Sequence, residues 1–186
     1  MIGEGDARSV DTGARPHVKG GKIVVTVVSE ISIVPLRPGD SAAWLPLWRG
    51  YQAFYEVDIP PEVSAVTWAR LLDPTEPVAG ALAWSGREAV GLVHHIRHRS
   101  CWTISDYCYL QDLFVVPELR GSGIGRKLIE HVYAEAEREG CARVYWLTHE
   151  TNATAMRLYD GIAQRSGFVQ YRKHLPTDVV RPKDVS

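Results

Sequence analysis

Residues 117–130, PELRGSGIGRKLIE, decide how the rest of the chain is read. Gly121, Gly123 and Gly125 stand at alternate positions, between an apolar run at 113–116 (LFVV) and a stretch with helical periodicity. Ile124, Leu128, Ile129, Val132 and Ala136 fall on one stripe of that helix, and Gly140 is placed to cap its end. A glycine-rich turn feeding a helix N-terminus can present successive backbone N–H groups to an anion, and the missing Cβ atoms let a pyrophosphate come close. A solvated cap with no ligand is the plain alternative. Among ligand loops, a phosphate-binding P-loop needs Lys followed by Ser or Thr after its last glycine; here Arg126, Lys127 and Leu128 follow. A dinucleotide fingerprint needs G-x-G-x-x-G tight against its strand; here the spacing is G-x-G-x-G and PELR intervenes. What remains is R-x-x-G-x-G, supplied by Arg120, Gly123 and Gly125.

Upstream of the loop the period is that of strands. PVAGALAW (77–84), a turn at 85–88, AVGLVHHI (89–96) and DYCYLQDLFVV (106–116) predict an antiparallel meander. Before it lie two aromatic-rich helical patterns, 44–55 and 60–73; Pro60 and Pro61 suit the first turn of the second, and Pro46 leaves the start of the first open. The first strand is IVVTVV (23–28) or EISIVPL (30–36). Downstream, RVYWLT (143–148) predicts a strand, the spacing of Ala155, Leu158, Tyr159, Ile162 and Ala163 predicts a last helix, and FVQYRKHL (168–175) predicts a closing strand. The reading is one domain over 23–180. Residues 1–22, rich in glycine and charge and poor in large apolar groups, are expected to be a disordered extension, and 181–186 a tail.

The chain has 186 residues, 45% hydrophobic and 23% charged, with a formal net charge of -1, which suits a single α/β domain with a sizeable core. Near neutrality gives no basic surface for nucleic acid and no acidic tail. There is neither an apolar run of membrane-spanning length nor the apolar core of a signal peptide at the N-terminus, so no membrane partner is expected. Cys101, Cys108 and Cys141 form no CxxC pair and no even framework, so they read as structural thiols in a cytoplasmic protein.

With NATAMRLY (152–159) about thirty residues beyond the R-x-x-G-x-G loop, the segment from about 30 to 175 resembles the GNAT superfamily of acyl-CoA-dependent N-acetyltransferases. YLQDLFVVPELRGSGIG is similar to the spermidine/spermine acetyltransferase branch, whose strand reads close to YLEDFFV. The resemblance implies an α/β GNAT fold: a mixed, mostly antiparallel twisted sheet of about six or seven strands, flanked by about four helices and splayed between its fourth and fifth strands. It also implies acetyl-CoA in the gap as acyl donor, no metal, and direct attack of a primary amine on the thioester through a tetrahedral intermediate. Leu113, Phe114 and Val115 would offer strand-edge groups to the pantetheine arm, one of their N–H groups facing the thioester oxygen. The backbone of Arg120, Gly121, Ser122, Gly123, Ile124, Gly125 and Arg126 would cradle the pyrophosphate, with the two arginine side chains adding charge. Asn152 would lie near the thiol end, and Tyr159, seven residues on along the same helical face, would protonate the departing thiolate.

Where that branch places a basic glutamate, this sequence has Gln111, which cannot take a proton. Asp112 matches the branch's second acid, but strand alternation turns it to the opposite face from Gln111. His94, His95 and His98, or Glu56, Asp58 and Glu62, are the other candidate bases; the plain reading of the histidines is as polar residues on a half-exposed strand. Trp44, Trp48, Tyr51, Phe54, Tyr55 and Trp68 could cage an amine by cation–π contact, although aromatics at helical spacing are more often core. The expected acceptor is a small amine, such as a polyamine or an amino acid derivative, with a protein lysine or N-terminus as the second reading and a non-catalytic acyl-CoA sensor as the third. GIAQRS (161–166) is expected to extend the last helix, and the C-terminal strand to cross the interface of a homodimer.

Overall fold

Five strands and four helices account for the regular structure of residues 30–175, the part of the chain that the computed structural model describes. The alternative first strand at 23–28, the N-terminal extension and the tail at 181–186 lie outside the described residues. Strands β1 (Ile31–Pro35), β2 (Val78–Ser85), β3 (Glu88–His98), β4 (Tyr107–Val115) and β5 (Arg143–Tyr145) form one sheet in chain order. The first four pair antiparallel, whereas β4 and β5 are parallel. Parallel neighbours need a crossover, and α3 (Ile124–Arg138) provides it. Helices α1 (Ser41–Phe54) and α2 (Pro61–Leu72) lie between β1 and β2 in sequence, and α4 (Ala153–Tyr159) follows β5.

Alternation along the strands builds a core on each face. On one face Ala81, Ala83, Val93, Cys108 and Leu110 meet Ile124, Leu128, Ile129, Val132 and Ala136, the stripe that the sequence predicts for α3. Small residues let that helix approach: a Cβ on Gly91 would lie 2.9 Å from the Phe114 carbonyl and 3.2 Å from Leu128 Cδ1. On the other face Leu82, Leu92 and Phe114 pack with Trp44, Leu47, Trp48 and Leu71 of α1 and α2. Gly140 closes α3 as expected. Its φ is 69°, its N–H bonds to Glu137 O, and the Cys141 N–H bonds to Ala136 O, which is the double hydrogen bond of a Schellman cap.

The C-terminal part departs from expectation. Residues 168–175 alternate like a strand but form none, so the sheet has five strands among the described residues instead of six or seven. A strand exists only where a neighbour accepts its ladder. This segment finds none among the described residues, and Phe168, Val169 and Tyr171 stand 80%, 74% and 93% exposed. β5 is likewise shorter than 143–148. Nor does GIAQRS extend the last helix: α4 stops at Tyr159, a turn follows, and Arg165 folds back onto Asp160 through two hydrogen bonds of 2.9 and 2.7 Å.

β3 delivers His95 to the α3 face, where burial and then the nearby His131 push its pKa down from 6.5 to about 4. The unfolded chain takes up this proton near pH 6.5 and the folded chain only near pH 4. The group's stabilising contribution is therefore complete above the first value and disappears as pH falls through the second. The difference amounts to about 3 kcal/mol. His95→Leu should flatten the fall of Tm between pH 6.5 and 4; parallel wild-type and variant curves would show that other groups control acid stability.

Candidate active site

Pairing between β4 and β5 runs through Tyr107 with Arg143, Cys108 with Val144 and Tyr109 with Tyr145, and stops there. Beyond Tyr109 no strand among the described residues lies beside the far edge of β4. Leu113, Phe114 and Val115 lie on this open stretch, the expected splay between the fourth and fifth strands. A short 3-10 turn at Pro117–Leu119 then leads into the glycine loop.

Gly121 and Gly123 have φ of 82° and 87°, a left-handed backbone in which other residues are strained, and α3 starts directly after them. A Cβ at either position would meet nothing within 4 Å, so the loop is open on its outer side. Its inner side is anchored. Ile124 is buried in the core, the Ser122 hydroxyl donates to Leu119 O at 2.6 Å, and a Cβ on Gly125 would touch Leu158 of α4 at 3.5 Å. The Arg120 side chain turns inward: Nε–H donates to Val115 O at 3.0 Å, and the guanidinium lies 5.0 Å from the Phe54 ring centre and 5.6 Å from that of Phe114. Arg126 keeps only a long contact of 4.0 Å with Glu130 and remains substantially exposed.

On the far side of the splay, Asn152 caps α4. Its Oδ1 accepts from the Ala155 N–H at 3.3 Å and its Nδ2 donates to Thr148 at 3.4 Å. Tyr159 ends the same helix, edge-on to Trp146 with ring centres 5.3 Å apart. Burial, reinforced by the Tyr55 phenol just after α1, pushes its pKa up to about 12, so the hydroxyl keeps its proton at neutral pH. Burial also pushes the Cys108 thiol up to about 12, which disqualifies it as a thiolate nucleophile.

On the acidic side the alternation of β4 is interrupted. His94 pairs with Asp112 and His95 with Leu110, so Gln111 is an extra residue in β4, a bulge. The bulge resets the period. Cys108 and Leu110 face α3 before it, Leu113 and Val115 pack on that face after it, and Asp112 and Phe114 go to the α1/α2 side. Asp112 is thus turned toward the aromatic helices, and Gln111 is exposed at the strand's kink. Asp112 is the one carboxylate among the buried polar residues of the described chain. Its charge, after burial, helps raise the pKa values of Tyr51, Tyr55 and Tyr109, which places those three phenols around it.

The three candidate histidines diverge. His94 accepts the Trp44 indole N–H at 2.9 Å on Nε2 and faces Asp112 at 3.0 Å through Nδ1, so it has no free lone pair with which to act as a base. His95 is on the opposite face, and His98 bonds Tyr145 at the far end of β3. Glu56, Asp58 and Glu62 are exposed. Among the aromatics, Trp44 and Trp48 are core, the latter donating to Ser64 at 3.1 Å; Tyr51 and Tyr55 are the ones beside Asp112. The bonded set Trp44, His94 and Asp112 was not legible as a unit, since its members are 50 and 18 residues apart in sequence.

The parting of β4 from β5, the open glycine loop at the start of α3 and helix α4 thus border one another in the structure. Residues 44–162 match the model of the acetyltransferase (GNAT) family. The chain is 38% identical over 150 residues to the D-amino-acid N-acetyltransferase HPA3 of Saccharomyces cerevisiae, spanning 80% of this chain and 93% of that one. It is 29% identical to the thialysine N-epsilon-acetyltransferase of Caenorhabditis elegans over 46% of this chain and 52% of that one. The fold is also that of aminoglycoside N-acetyltransferase AAC(6')-Iy in complex with CoA, with TM-score 0.67, 18% identity, and coverage of 82% of this chain and 100% of that one. The protein belongs to the GNAT acetyltransferase family and is an N-acetyltransferase.

The loop geometry yields a direct test. Gly123→Val introduces a branched side chain where φ is 87° and where the cradle is open. The dissociation constant for acetyl-CoA, measured by calorimetry, should rise at least about tenfold; an unchanged constant would show that the ligand does not use this loop.

Proposed function

We propose that the protein transfers the acetyl group of acetyl-CoA to the primary amine of a small molecule, an amino acid derivative or a polyamine. The observation that carries the acceptor side is Asp112, a buried carboxylate among phenols beside the open edge of β4. The similarity to a D-amino-acid N-acetyltransferase over most of both chains supports a small acceptor.

Acetyl-CoA supplies an activated thioester. The N–H groups from Gly121 to Arg126 suit its pyrophosphate, because they sit at a helix N-terminus with no Cβ in the way at the two left-handed glycines. Arg126 adds charge, while Arg120 holds the loop to the end of β4. The unpaired edge at Leu113, Phe114 and Val115 suits the amide-bearing arm, which can pair with it as another strand would. A fixed N–H on that edge stabilises negative charge on the thioester oxygen. Asn152 frames the thiol end from the start of α4, and Tyr159 donates its phenolic proton to the leaving sulfur. Asp112 is the group we assign to receive the acceptor's ammonium and take one of its protons, the task that Gln111 cannot perform. None of these roles needs a metal, and no cluster of ligating side chains occurs among the described residues.

We also assign a homodimer, supported by segment 168–175, whose residues Phe168, Val169 and Tyr171 are exposed. No helix of the described residues is long and apolar enough to cross a membrane. The unpaired cysteines suit the cytoplasm as the working compartment.

The decisive experiment follows acetyl-CoA-dependent thiol release with polyamines, L- and D-amino acids, aminoglycosides and lysine peptides. Release with small amines is expected, and Tyr159→Phe should lower kcat about a hundredfold with little change in acetyl-CoA affinity. Release with peptides alone would move the acceptor to protein, and no release despite acetyl-CoA binding would leave a sensor. Sedimentation at micromolar concentration should give a dimer that truncation after Ser166 converts to monomer; a wild-type monomer would remove the assignment.

A further inference from the structure

The contact between α1 and the sheet contains more polar chemistry than packing requires. The indole N–H of Trp44 is a donor with no acceptor capacity. At 2.9 Å from His94 Nε2 it obliges that nitrogen to accept, which leaves the ring proton on Nδ1, 3.0 Å from Asp112 Oδ2. The tautomer of His94 is therefore dictated by its neighbour. The His94 and Asp112 side chains are only 4% and 10% exposed.

We propose that Trp44 and His94 are positioning residues for the transfer reaction: Trp44 locks His94 as a neutral donor, so that Asp112 is held in place without being neutralised and presents its full negative charge to a cationic acceptor. This rests on the N-acetyltransferase reading above and adds how the acceptor is recognised. A protonated histidine or an arginine would hold the carboxylate equally well but would cancel its pull on an ammonium. Among the described residues, His94 is the one side chain in ion-pair distance of Asp112. The locking geometry is built in from behind as well. A Cβ on Gly80 of β2 would lie 2.8 Å from Val93 O and 2.9 Å from His94 Cδ2, so only glycine lets the ring sit there. Trp48 closes the side, its ring centre 5.4 Å from that of His94.

The groups around the pair keep one charge state near neutrality. Tyr51 of α1, Tyr55 just after it and Tyr109 of β4 are all raised above the ordinary phenol value, by burial first and then by Asp112. His95, next along β3, is lowered to about 4. From α2, the nearby Ser64 and Trp68 are uncharged.

Trp44→Phe removes the indole N–H and leaves His94 Nε2 free to accept a proton, so that the ring can become a cation beside Asp112. The measurement is KM and kcat between pH 6 and 8 for an amine from the panel that stays protonated throughout. Wild type should show a nearly level KM. In W44F, KM should rise roughly tenfold as pH falls from 8 to 6, with acetyl-CoA affinity unmoved. The double variant W44F/H94Q should be level again, since glutamine cannot charge. A level KM in W44F, or a slope that survives in the double variant, would overturn the proposal, because loss of packing alone is indifferent to pH. Should W44F not fold, nitrogen NMR of wild type decides: a proton on His94 Nδ1 with bare Nε2, and His94 resonances that move on amine binding, support the lock, whereas a proton on Nε2 or an unmoved ring refutes it. A silent amine panel would instead defeat the functional reading itself, a failure separate from a level KM in an active enzyme.

Discussion

The structure depends on an incomplete set of hydrogen bonds. Strands β4 and β5 run side by side for three residue pairs and then part, leaving one edge of β4 with backbone donors and acceptors unmatched by the sheet. An exposed edge of this kind is costly to leave bare and prone to pair with whatever extended backbone arrives. Here the parting is held open from both faces. Core packing of α3 fixes the loop at one end, and α4 places Leu158 against that loop and Tyr159 near Trp146. The cleft is thus the place where two well-packed layers stop sharing a sheet.

Within that frame, charge is distributed unevenly. The glycine loop presents mainly backbone dipoles: Arg120, its first cation, is committed to Val115 O and two phenylalanine rings. On the α1/α2 side of β4 a single buried carboxylate, Asp112, lies among phenols. A backbone-polar loop after β4 and an anionic point within it give an uneven charge distribution in a chain whose net charge is only -1.

Local patterns in the sequence carried the helices, the meander and the loop well. The apolar stripe of α3, the Gly140 cap and the alternate glycines each have a short-range physical cause, and each lies where periodicity puts it. Features that depend on distant partners were not legible. Residues 168–175 have the composition of a strand but pair with nothing among the described residues, and beyond α4 Arg165 returns to Asp160. The bulge beside Asp112 leaves no signature in hydrophobic period, so the sequence did not show that this carboxylate faces α1. His94 looked like a free base because nothing in its own strand reveals an indole from α1.

The bulge at Gln111 separates two kinds of constraint that usually travel together. The side chain there is exposed and unpaired, so many residues would serve in its place. Nor does the face of its neighbours depend on it: with position 111 deleted, Leu110 and Asp112 would still alternate between the α3 and α1/α2 sides as they do now. What the extra residue imposes is a bend and added twist in β4, so position 111 shapes the line of the strand without deciding which layer any side chain serves.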